Sequence, residues 1–243
     1  MRLDKTLANS GYGTRTEVKS LISKGQVQVN GLTVKDPGFH VKDEDVITIG
    51  GNNTSIKDKF YLLLDKPDGV LTAMEDKRLP HVGELLPANL KNKKISPVGR
   101  LDFHTTGLLI LTNDGELSHR LTSPNYGISK TYEVIYDGEL LTENEASEAA
   151  SGMILKDKEP YVKLRPSTLV FDKDNNKARI TLTEGKTHEV RRIFAQWNRP
   201  VIALRRVSLG PVTLEDNPEE MLRELTSEEV NALKEITGLA LKD

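Results

Sequence analysis

The spacing of apolar residues in the first 50 positions predicts a small unit of two helices followed by short strands. Thr14, with Glu17 three residues later, forms a capping-box pattern ahead of the apolar residues of the second helix. After that helix, apolar and polar residues alternate up to Asn30-Gly31, a dipeptide typical of β-hairpin turns. These signals predict a compact α/β module over residues 1–50.

Residues 60–243 carry the signals of a larger domain in which strands outnumber helices. An apolar run begins at Phe60, residues 130–137 alternate as a strand, and residues 187–197 place apolar side chains on one helical face. We therefore predict an α+β fold whose second domain has a mixed, mostly antiparallel sheet flanked by helices. Residues 51–59 begin with Gly, Asn, Thr and Ser, a composition that predicts a flexible linker.

Composition narrows the classes of function. The chain has 243 residues, 37% of them hydrophobic, which is enough for one large or two modest cores. It contains no cysteine, which excludes disulfide bonds and thiolate chemistry, and its five histidines lack the spacing of metal ligands. No apolar stretch has the pattern of a signal peptide or approaches the roughly 18 residues of a membrane span. We expect a cytoplasmic protein without a metal site.

Charge is distributed unevenly along the chain. The formal net charge is −2, but residues 215–243 hold nine acidic and three basic residues, whereas residues 186–206 hold six basic residues and one Glu. Local patches, more than the overall sum, determine the attraction to phosphate groups. The basic segment is therefore a candidate contact with nucleic acid despite the acidic total.

The segment from Gly99 to Gly115 is the strongest candidate for chemistry. A turn at Gly99 carries Arg100 and Asp102, and an apolar strand follows at residues 108–111. A carboxylate in a loop before a core strand is well placed for catalysis, since loops on rigid scaffolds often carry reactive groups. Asp102 could equally cap the turn and pair with Arg100, and the spacing alone does not separate these two interpretations.

The same segment resembles the signature loop of the pseudouridine synthases of the RsuA/RluB type. The resemblance implies that Asp102 is the nucleophile that isomerises a uridine in RNA, without a cofactor. In that family Tyr132 would stack on the target uracil as a candidate general base, and Arg191 would lie against the catalytic Asp. Arg100 and Leu204 are implied to line the substrate pocket. From the residues alone, Tyr132 and Leu204 also fit ordinary core positions, and Arg191 fits a solvated arginine.

The first module resembles the small RNA-binding module first described in ribosomal small-subunit protein four. The segments that begin at Arg2, Thr14 and Lys24 carry this resemblance, although a charged helix face also fits a merely solvated surface. Together, the two resemblances and the basic segment suggest these RNA-binding residues: Arg2, Lys5, Arg15, Lys19, Lys24, Lys130, Lys186, His188, Arg192 and Arg205.

The predicted function is the isomerisation of one uridine in the small-subunit 16S ribosomal RNA by a monomeric enzyme. Residues 118–124 and the pair Thr105-Thr106 resemble the small-subunit branch of the family, whereas Asp65 stands where the family usually has Asn. Two alternatives stay open: the same reaction on 23S ribosomal RNA, and an assembly factor that binds ribosomal RNA without catalysis. In each case we expect the partner to be ribosomal RNA within a subunit or an assembly intermediate, with no membrane contact.

Overall fold

The computed structural model describes residues 2–42, 45–54, 59–91, 93–214 and 220–239. The chain divides into two compact units, Met1–Phe60 with Leu86–Ile95, and Tyr61–Leu85 with Ser96–Asp243. Residues 86–95 therefore pack with the first unit, although the sequence analysis placed them in the domain over residues 60–243. No helix in the described ranges combines the length and the apolar composition needed to cross a bilayer.

The first unit packs two helices against a four-stranded antiparallel sheet. Its helices are α1 (Leu3–Asn9) and α2 (Arg15–Ser23), and its strands, in the order β2-β1-β3-β4, are β1 (Val27–Val29), β2 (Leu32–Thr33), β3 (Ile47–Ile49) and β4 (Asn52–Thr54). Buried aliphatic side chains of both helices, β1 and β3 form one core. The predicted capping box is present, since the Thr14 hydroxyl accepts a hydrogen bond from the Glu17 amide and the Glu17 carboxylate accepts one from the Thr14 amide.

The first part of the predicted linker is a strand. Gly50 and Gly51 both have a positive φ, which glycine adopts without a steric penalty, and they form the turn between β3 and β4. β4 then pairs with β3, with Asn52 opposite Ile49, so that residues 52–54 extend the sheet. Residues 55–58 of the predicted linker lie outside the described residues.

The second unit is built on a nine-stranded sheet whose main path is β11-β12-β8-β13-β7-β5-β15, with β6 added at β7 and β14 at β13. The strands are β5 (Tyr61–Lys66), β6 (Ser96–Pro97), β7 (Thr105–Thr112), β8 (Lys130–Tyr136), β11 (Thr168–Phe171), β12 (Lys177–Leu182), β13 (Val201–Leu209), β14 (Val212–Thr213) and β15 (Leu222–Glu224). A separate two-stranded sheet contains β9 (Ile154–Leu155) and β10 (Val162–Lys163). The helices are α3 (Val82–Leu85), α4 (Gly115–Thr122), α5 (Glu143–Ser151), α6 (Glu189–Gln196) and α7 (Ser227–Ile236), with a 3-10 turn at Pro124–Tyr126.

The prediction of a mixed, mostly antiparallel sheet is confirmed. Among the described strands, β13 with β7 is the parallel pair, and the other ladders are antiparallel. One apolar core contains Tyr136, Phe194 and Trp197 with aliphatic residues of β8, β12 and α6. A second contains aliphatic residues of β7, α4 and α7. Because Leu204 belongs to the first core and Leu209 to the second, the central residues of β13 are anchored at both ends.

The parallel pairing of β13 with β7 requires glycine at position 107. In this pair Leu204 lies opposite Thr105, and Arg206 lies opposite Gly107. Gly107 has a φ of +100°, and a Cβ added there would overlap with the backbone of Arg206. Any residue with a side chain would therefore be strained twice, by its backbone conformation and by this overlap.

We expect Gly107→Ala to lower the free energy of unfolding by about 2–4 kcal/mol, because the left-handed strain and the overlap with β13 add together. The matched control is Gly115→Ala at the start of α4, where an added Cβ meets no atom of the described residues within 4 Å. This control should be neutral or slightly stabilising, because alanine favours a helix over glycine. Urea unfolding measures both variants, and equal stabilities would contradict the constraint.

Candidate active site

One cavity of about 530 Å³ in the second unit collects most of the residues that the sequence selected for chemistry. This volume is typical of small-molecule sites and is large enough for a single nucleotide base. Arg191 is not among the described residues that line this cavity. The predicted residues that line it are Arg100, Asp102, Lys130, Tyr132, Lys186, His188 and Leu204.

Hydrogen bonds to the backbone fix the loop that carries Asp102. The Thr72 hydroxyl donates to the carbonyl oxygen of Leu101 at 2.7 Å and accepts from the Leu101 amide at 3.1 Å. At the other end of the loop, the Thr105 amide donates to the carbonyl oxygen of Asp102 at 3.0 Å. The carboxylate is therefore held by a rigid loop before any substrate enters, which is the arrangement that catalysis by positioning requires.

Lys66 supports the same loop from its buried side, a role that the sequence analysis did not identify. Its side chain is fully buried, and its ammonium donates to three backbone carbonyl groups, including those of Val70 at 2.8 Å and Phe103 at 3.3 Å. Burial lowers the pKa of Lys66, and the carboxylates of Asp68 and Asp102 oppose that change. A charged residue at the end of an apolar strand was the signal in the sequence that could have identified it.

The expected ion pair between Arg191 and Asp102 is absent from the described residues. Arg191 instead donates to the carbonyl oxygens of His104, at 2.9 Å, and Val201, at 3.4 Å. Nε2 of His188 lies 3.5 Å from Oδ1 of Asp102, whose side chain is 38% exposed. His188 has a φ of 52° just before α6, and its ring lies nearest to the carboxylate, while Arg191 one turn later reaches the loop backbone. Arg191 therefore braces the Asp102 loop without contacting its carboxylate.

Strands β8 and β13 form the wall of the cavity. In their antiparallel pairing, Tyr132 lies opposite Arg206, and Val134 lies opposite Leu204. Because alternate residues of a strand share a face, Tyr132, Leu204 and Arg206 project on the same side of the sheet, and all three line the cavity. A half-buried aromatic ring and a buried leucine on one face can hold a flat base between them.

Three buried polar residues of the cavity were not predicted as site residues from the sequence. Arg206 is 2% exposed, and its Nε donates to the carbonyl oxygen of Leu108 at 2.7 Å. Nη2 of Arg206, Oγ1 of Thr105 and Oε1 of Glu189 have no hydrogen-bond partner in the described part of the chain. The alternation that places Arg206 on the same strand face as Leu204 was the signal that could have identified it.

Two lysines that were predicted to bind RNA lie at the cavity with partly satisfied ammonium groups. Lys130 donates to the carbonyl oxygen of Ile128 at 3.1 Å. Burial lowers the pKa of Lys130, and the nearby guanidinium of Arg206 lowers it further. Lys186 lies 3.1 Å from the carboxylate of Glu184. The cavity thus concentrates basic groups near Asp102.

Two other arginines of the predicted RNA-binding set are paired with carboxylates. Arg192 donates two hydrogen bonds of 2.7 Å to Asp157. Arg205 donates one of 2.6 Å to Asp65, across strand β7. Each guanidinium would have to give up part of this pairing to bind phosphate, so the structure makes both arginines less available than the sequence suggested.

In the first unit, helix α2 and its end carry the predicted basic surface. Arg2, by contrast, pairs with the buried carboxylate of Asp4 at 3.1 Å, and this pair lowers the pKa of Asp4. Arg2 therefore stabilises the start of α1 in addition to any contact with RNA. The other predicted basic residues of this unit are exposed, namely Lys5, Arg15, Lys19 and Lys24.

Comparison with known protein families divides the chain into two regions. Residues 1–47 match the S4 domain, and residues 60–196 match the family described as RNA pseudouridylate synthase. A crystal structure of a pseudouridylate synthase aligns with 96% of this chain and 99% of its own, with a TM-score of 0.66 and 33% sequence identity. The fold and the family expected from the sequence are therefore confirmed.

Two similar proteins are named for different ribosomal subunits. Ribosomal small subunit pseudouridine synthase A of Haemophilus influenzae is 35% identical over 96% of this chain and 99% of its own length. Ribosomal large subunit pseudouridine synthase B of Bacillus subtilis is also 35% identical, over 96% of this chain and 95% of its own length. Sequence identity alone therefore does not separate a small-subunit target from a large-subunit target.

Glu189 should make the stability of the protein depend on pH. Burial raises the pKa of Glu189 to about 7, from an ordinary value of 4.5. Between these values the folded chain keeps this proton and the unfolded chain has lost it, so the free energy of unfolding falls as pH rises. We expect Glu189→Gln to remove about 1–3 kcal/mol of that decline.

Urea unfolding at several pH values between 4.5 and 8 measures this effect of Glu189. Glu235→Gln is the control, because Glu235 is an exposed carboxylate on α7 and should leave the pH dependence of the wild type unchanged. A pH profile of Glu189→Gln that coincides with the wild-type profile would show that Glu189 loses its proton over the same pH range in the folded and the unfolded chain.

Proposed function

Because the chain belongs to the RNA pseudouridine synthase family, we propose that this enzyme converts one uridine of the small-subunit 16S ribosomal RNA to pseudouridine. The observation that carries the proposal is the cavity that brings Asp102, Tyr132 and Leu204 together. A carboxylate beside a space for a flat base fits a reaction in which the base leaves its stack. The ribosomal context, the monomeric state and the cytoplasmic location remain predictions.

The 16S target is supported by the resemblance of residues 118–124 and Thr105-Thr106 to the small-subunit branch. The 23S ribosomal RNA is the second candidate, because the Bacillus subtilis large-subunit enzyme is as similar to this chain as the Haemophilus influenzae small-subunit enzyme. Both candidates use the same site and the same chemistry. They differ in which RNA the basic surfaces recognise.

In the proposed reaction, the target uridine leaves its helix and enters the cavity, at a cost of about a few kcal/mol for unstacking. The Asp102 carboxylate attacks C1′ of the ribose, the C1′–N1 bond breaks, and its electron pair stays with the uracil. The uracil turns, and a C5–C1′ bond replaces the bond to Asp102. C5 then loses its proton, for which Tyr132 is the proposed acceptor, and N1 gains one. The alternative is that Asp102 first attacks the uracil ring.

The remaining residues support this step in different ways. Splitting a difficult bond cleavage into two easier displacements is the advantage of a covalent intermediate on Asp102. We propose that Arg191 keeps the Asp102 loop in position through the carbonyl group of His104. The exposed Arg100 would attract the phosphates of the target strand. The basic side chains at the cavity would do the same, namely Lys130, Lys186 and His188.

We expect Asp102→Asn to reduce pseudouridine formation by at least about three orders of magnitude, because the amide keeps the size of the side chain and removes its nucleophilicity. The measurement is pseudouridine mapping in 16S and 23S ribosomal RNA from a deletion strain complemented with each variant. Asp172→Asn is the matched control, since Asp172 is an exposed turn residue that accepts backbone hydrogen bonds. It should restore the wild-type level.

The position of the restored pseudouridine separates the alternatives for the function. A 16S site supports the proposal, and a 23S site supports the second candidate. If the deletion removes no pseudouridine from either RNA, both catalytic candidates fail, and the assembly factor that binds ribosomal RNA without catalysis is the alternative left. Activity of Asp102→Asn within tenfold of the wild type would contradict the assignment of the nucleophile.

The exposed basic residues near α2 should contribute to RNA affinity through phosphate contacts. We expect the triple variant Arg15/Lys19/Lys24→Ala to bind ribosomal RNA more weakly and to lower the salt slope of binding by about 0.7–0.9 for each charge removed. The control removes three exposed lysines of the second unit, Lys158/Lys173/Lys177→Ala, which takes away the same charge. Equal affinities and equal slopes for the two triple variants would mean that this surface does not contact RNA.

A further inference from the structure

Arg206 is a buried cation of the cavity whose hydrogen-bonding capacity is only partly used. Its side chain is 2% exposed, and Nε donates to the carbonyl oxygen of Leu108 at 2.7 Å. Nη2 has no hydrogen-bond partner among the described residues. An arginine carries five N–H donors, and buried donors are almost always satisfied in folded proteins. An unsatisfied donor of a residue that lines a cavity therefore indicates a ligand atom.

The register of the sheet places Arg206 beside the space for the base. Arg206 lies opposite Tyr132 in the pairing of β13 with β8, and it follows Leu204 by two residues on the same strand face. Two further unsatisfied polar atoms belong to residues of the same cavity, Oγ1 of Thr105 and Oε1 of Glu189. The cavity thus combines an apolar clamp for a flat ring with polar groups for the edge of that ring.

The charges of the cavity are unbalanced without a ligand. In the described part of the chain, no carboxylate forms a salt bridge with Arg206. Burial and the nearby guanidinium of Arg206 lower the pKa of Lys130, and the carboxylate of Glu189 opposes part of that change. Two cations close together and away from water repel each other and lose hydration, so they favour a ligand that carries or develops negative charge.

A purely structural role explains Arg206 less well. The carbonyl group of Leu108 follows Gly107, the last residue of β7 that pairs with β13, and one N–H donor is enough to satisfy it. The second arm of the guanidinium, with Nη2, adds nothing to that contact. Burying a guanidinium group for one backbone hydrogen bond costs more than the bond returns, unless the second arm also finds an acceptor.

We propose that Arg206 donates a hydrogen bond to a carbonyl oxygen of the flipped uracil and stabilises the negative charge that develops there. This inference rests on the proposed function, in which the C1′–N1 bond breaks and its electron pair stays with the uracil. Conjugation spreads that pair from N1 onto O2 and O4, and attack on the ring would also place charge on a carbonyl oxygen. A fixed donor that meets charge formed in the transition state accelerates the reaction more than it tightens binding.

The first test separates turnover from RNA binding, with an RNA fragment that spans the mapped uridine. We expect Arg206→Met to lower kcat by about 10²–10³-fold and to change the Kd for the RNA by less than about threefold. Arg206→Lys should lose less, because it keeps the charge but not the two-armed geometry. A kcat of Arg206→Met within threefold of the wild type would overturn the proposal.

Arg199→Met is the matched control for the loss of a buried arginine. Arg199 is 8% exposed and also has one unsatisfied nitrogen, Nε, but it lies outside the cavity and is paired with Glu145 at 3.4 Å. This variant should lower Tm and leave kcat unchanged. If both variants lower kcat in proportion to their loss of Tm, Arg206 has only a structural role and the proposal fails.

The second test replaces single oxygen atoms of the substrate, and it applies to Arg206→Lys even if Arg206→Met does not fold. RNA fragments carry 2-thiouridine or 4-thiouridine at the target, because sulfur accepts hydrogen bonds poorly. With the wild type, at least one of the two substitutions should slow turnover by about 10-fold or more, the effect expected for a charge-assisted hydrogen bond. In the Arg206 variants the same substitution should have a much smaller effect.

The thio effects also distinguish this proposal from the proposed function. If both thio effects are as large in the Arg206 variants as in the wild type, Arg206 does not contact a uracil carbonyl group, although the enzyme remains a pseudouridine synthase. If the wild type forms no pseudouridine in any ribosomal RNA, the proposed function fails and this inference fails with it.

Discussion

The site exists because β7 and β13 run side by side in parallel, which brings residues 105–107, directly after the Asp102 loop, against residues 204–206. Gly107 makes this contact possible, since a side chain there would overlap with the backbone of Arg206. Through this pair, the loop that carries Asp102 and the strand that carries Leu204 become one wall, although about a hundred residues separate them. The other strands extend the sheet, while this pair determines which side chains share the cavity.

A buried charge couples the Asp102 loop to the core. The ammonium of Lys66 is fully buried and donates to backbone carbonyl groups, one of which belongs to Phe103 in the loop. The desolvation of an ammonium is costly, and hydrogen bonds to carbonyl groups offset only part of that cost. The carboxylates of Asp68 and Asp102 supply part of the rest, since they oppose the lowering of the Lys66 pKa. Lys66 therefore ties the Asp102 loop to the core through the carbonyl group of Phe103, while Arg191 holds the same loop through the carbonyl group of His104.

Local signals predicted the elements, and contacts between distant residues decided the site. The capping box at Thr14 and the α+β class follow from neighbours in sequence, so the pattern was sufficient for them. Helical periodicity placed Arg191 off the apolar face of α6, but it does not determine whether the guanidinium reaches a carboxylate or the carbonyl group of His104. Composition predicted a linker after Gly50, whereas β3 offered a partner strand for residues 52–54. Both predictions differed from the structure because the residues made contacts with other parts of the chain, which a local pattern does not specify.

The two adjacent arginines of β13 have different surroundings: one is paired with a carboxylate, and the other lines the cavity. Arg205 and Arg206 point to opposite faces of the sheet because side chains alternate. On one face Arg205 pairs with Asp65, the residue that departs from the Asn usual in the family, so its charge is compensated. On the other face Arg206 lies near the cation Lys130. The nearby acid Glu189 has a pKa raised to about 7, so near neutral pH it carries only part of a negative charge. Positive charge is thus compensated on the face away from the cavity and left available where the substrate is proposed to bind, which is the asymmetry that anion stabilisation requires.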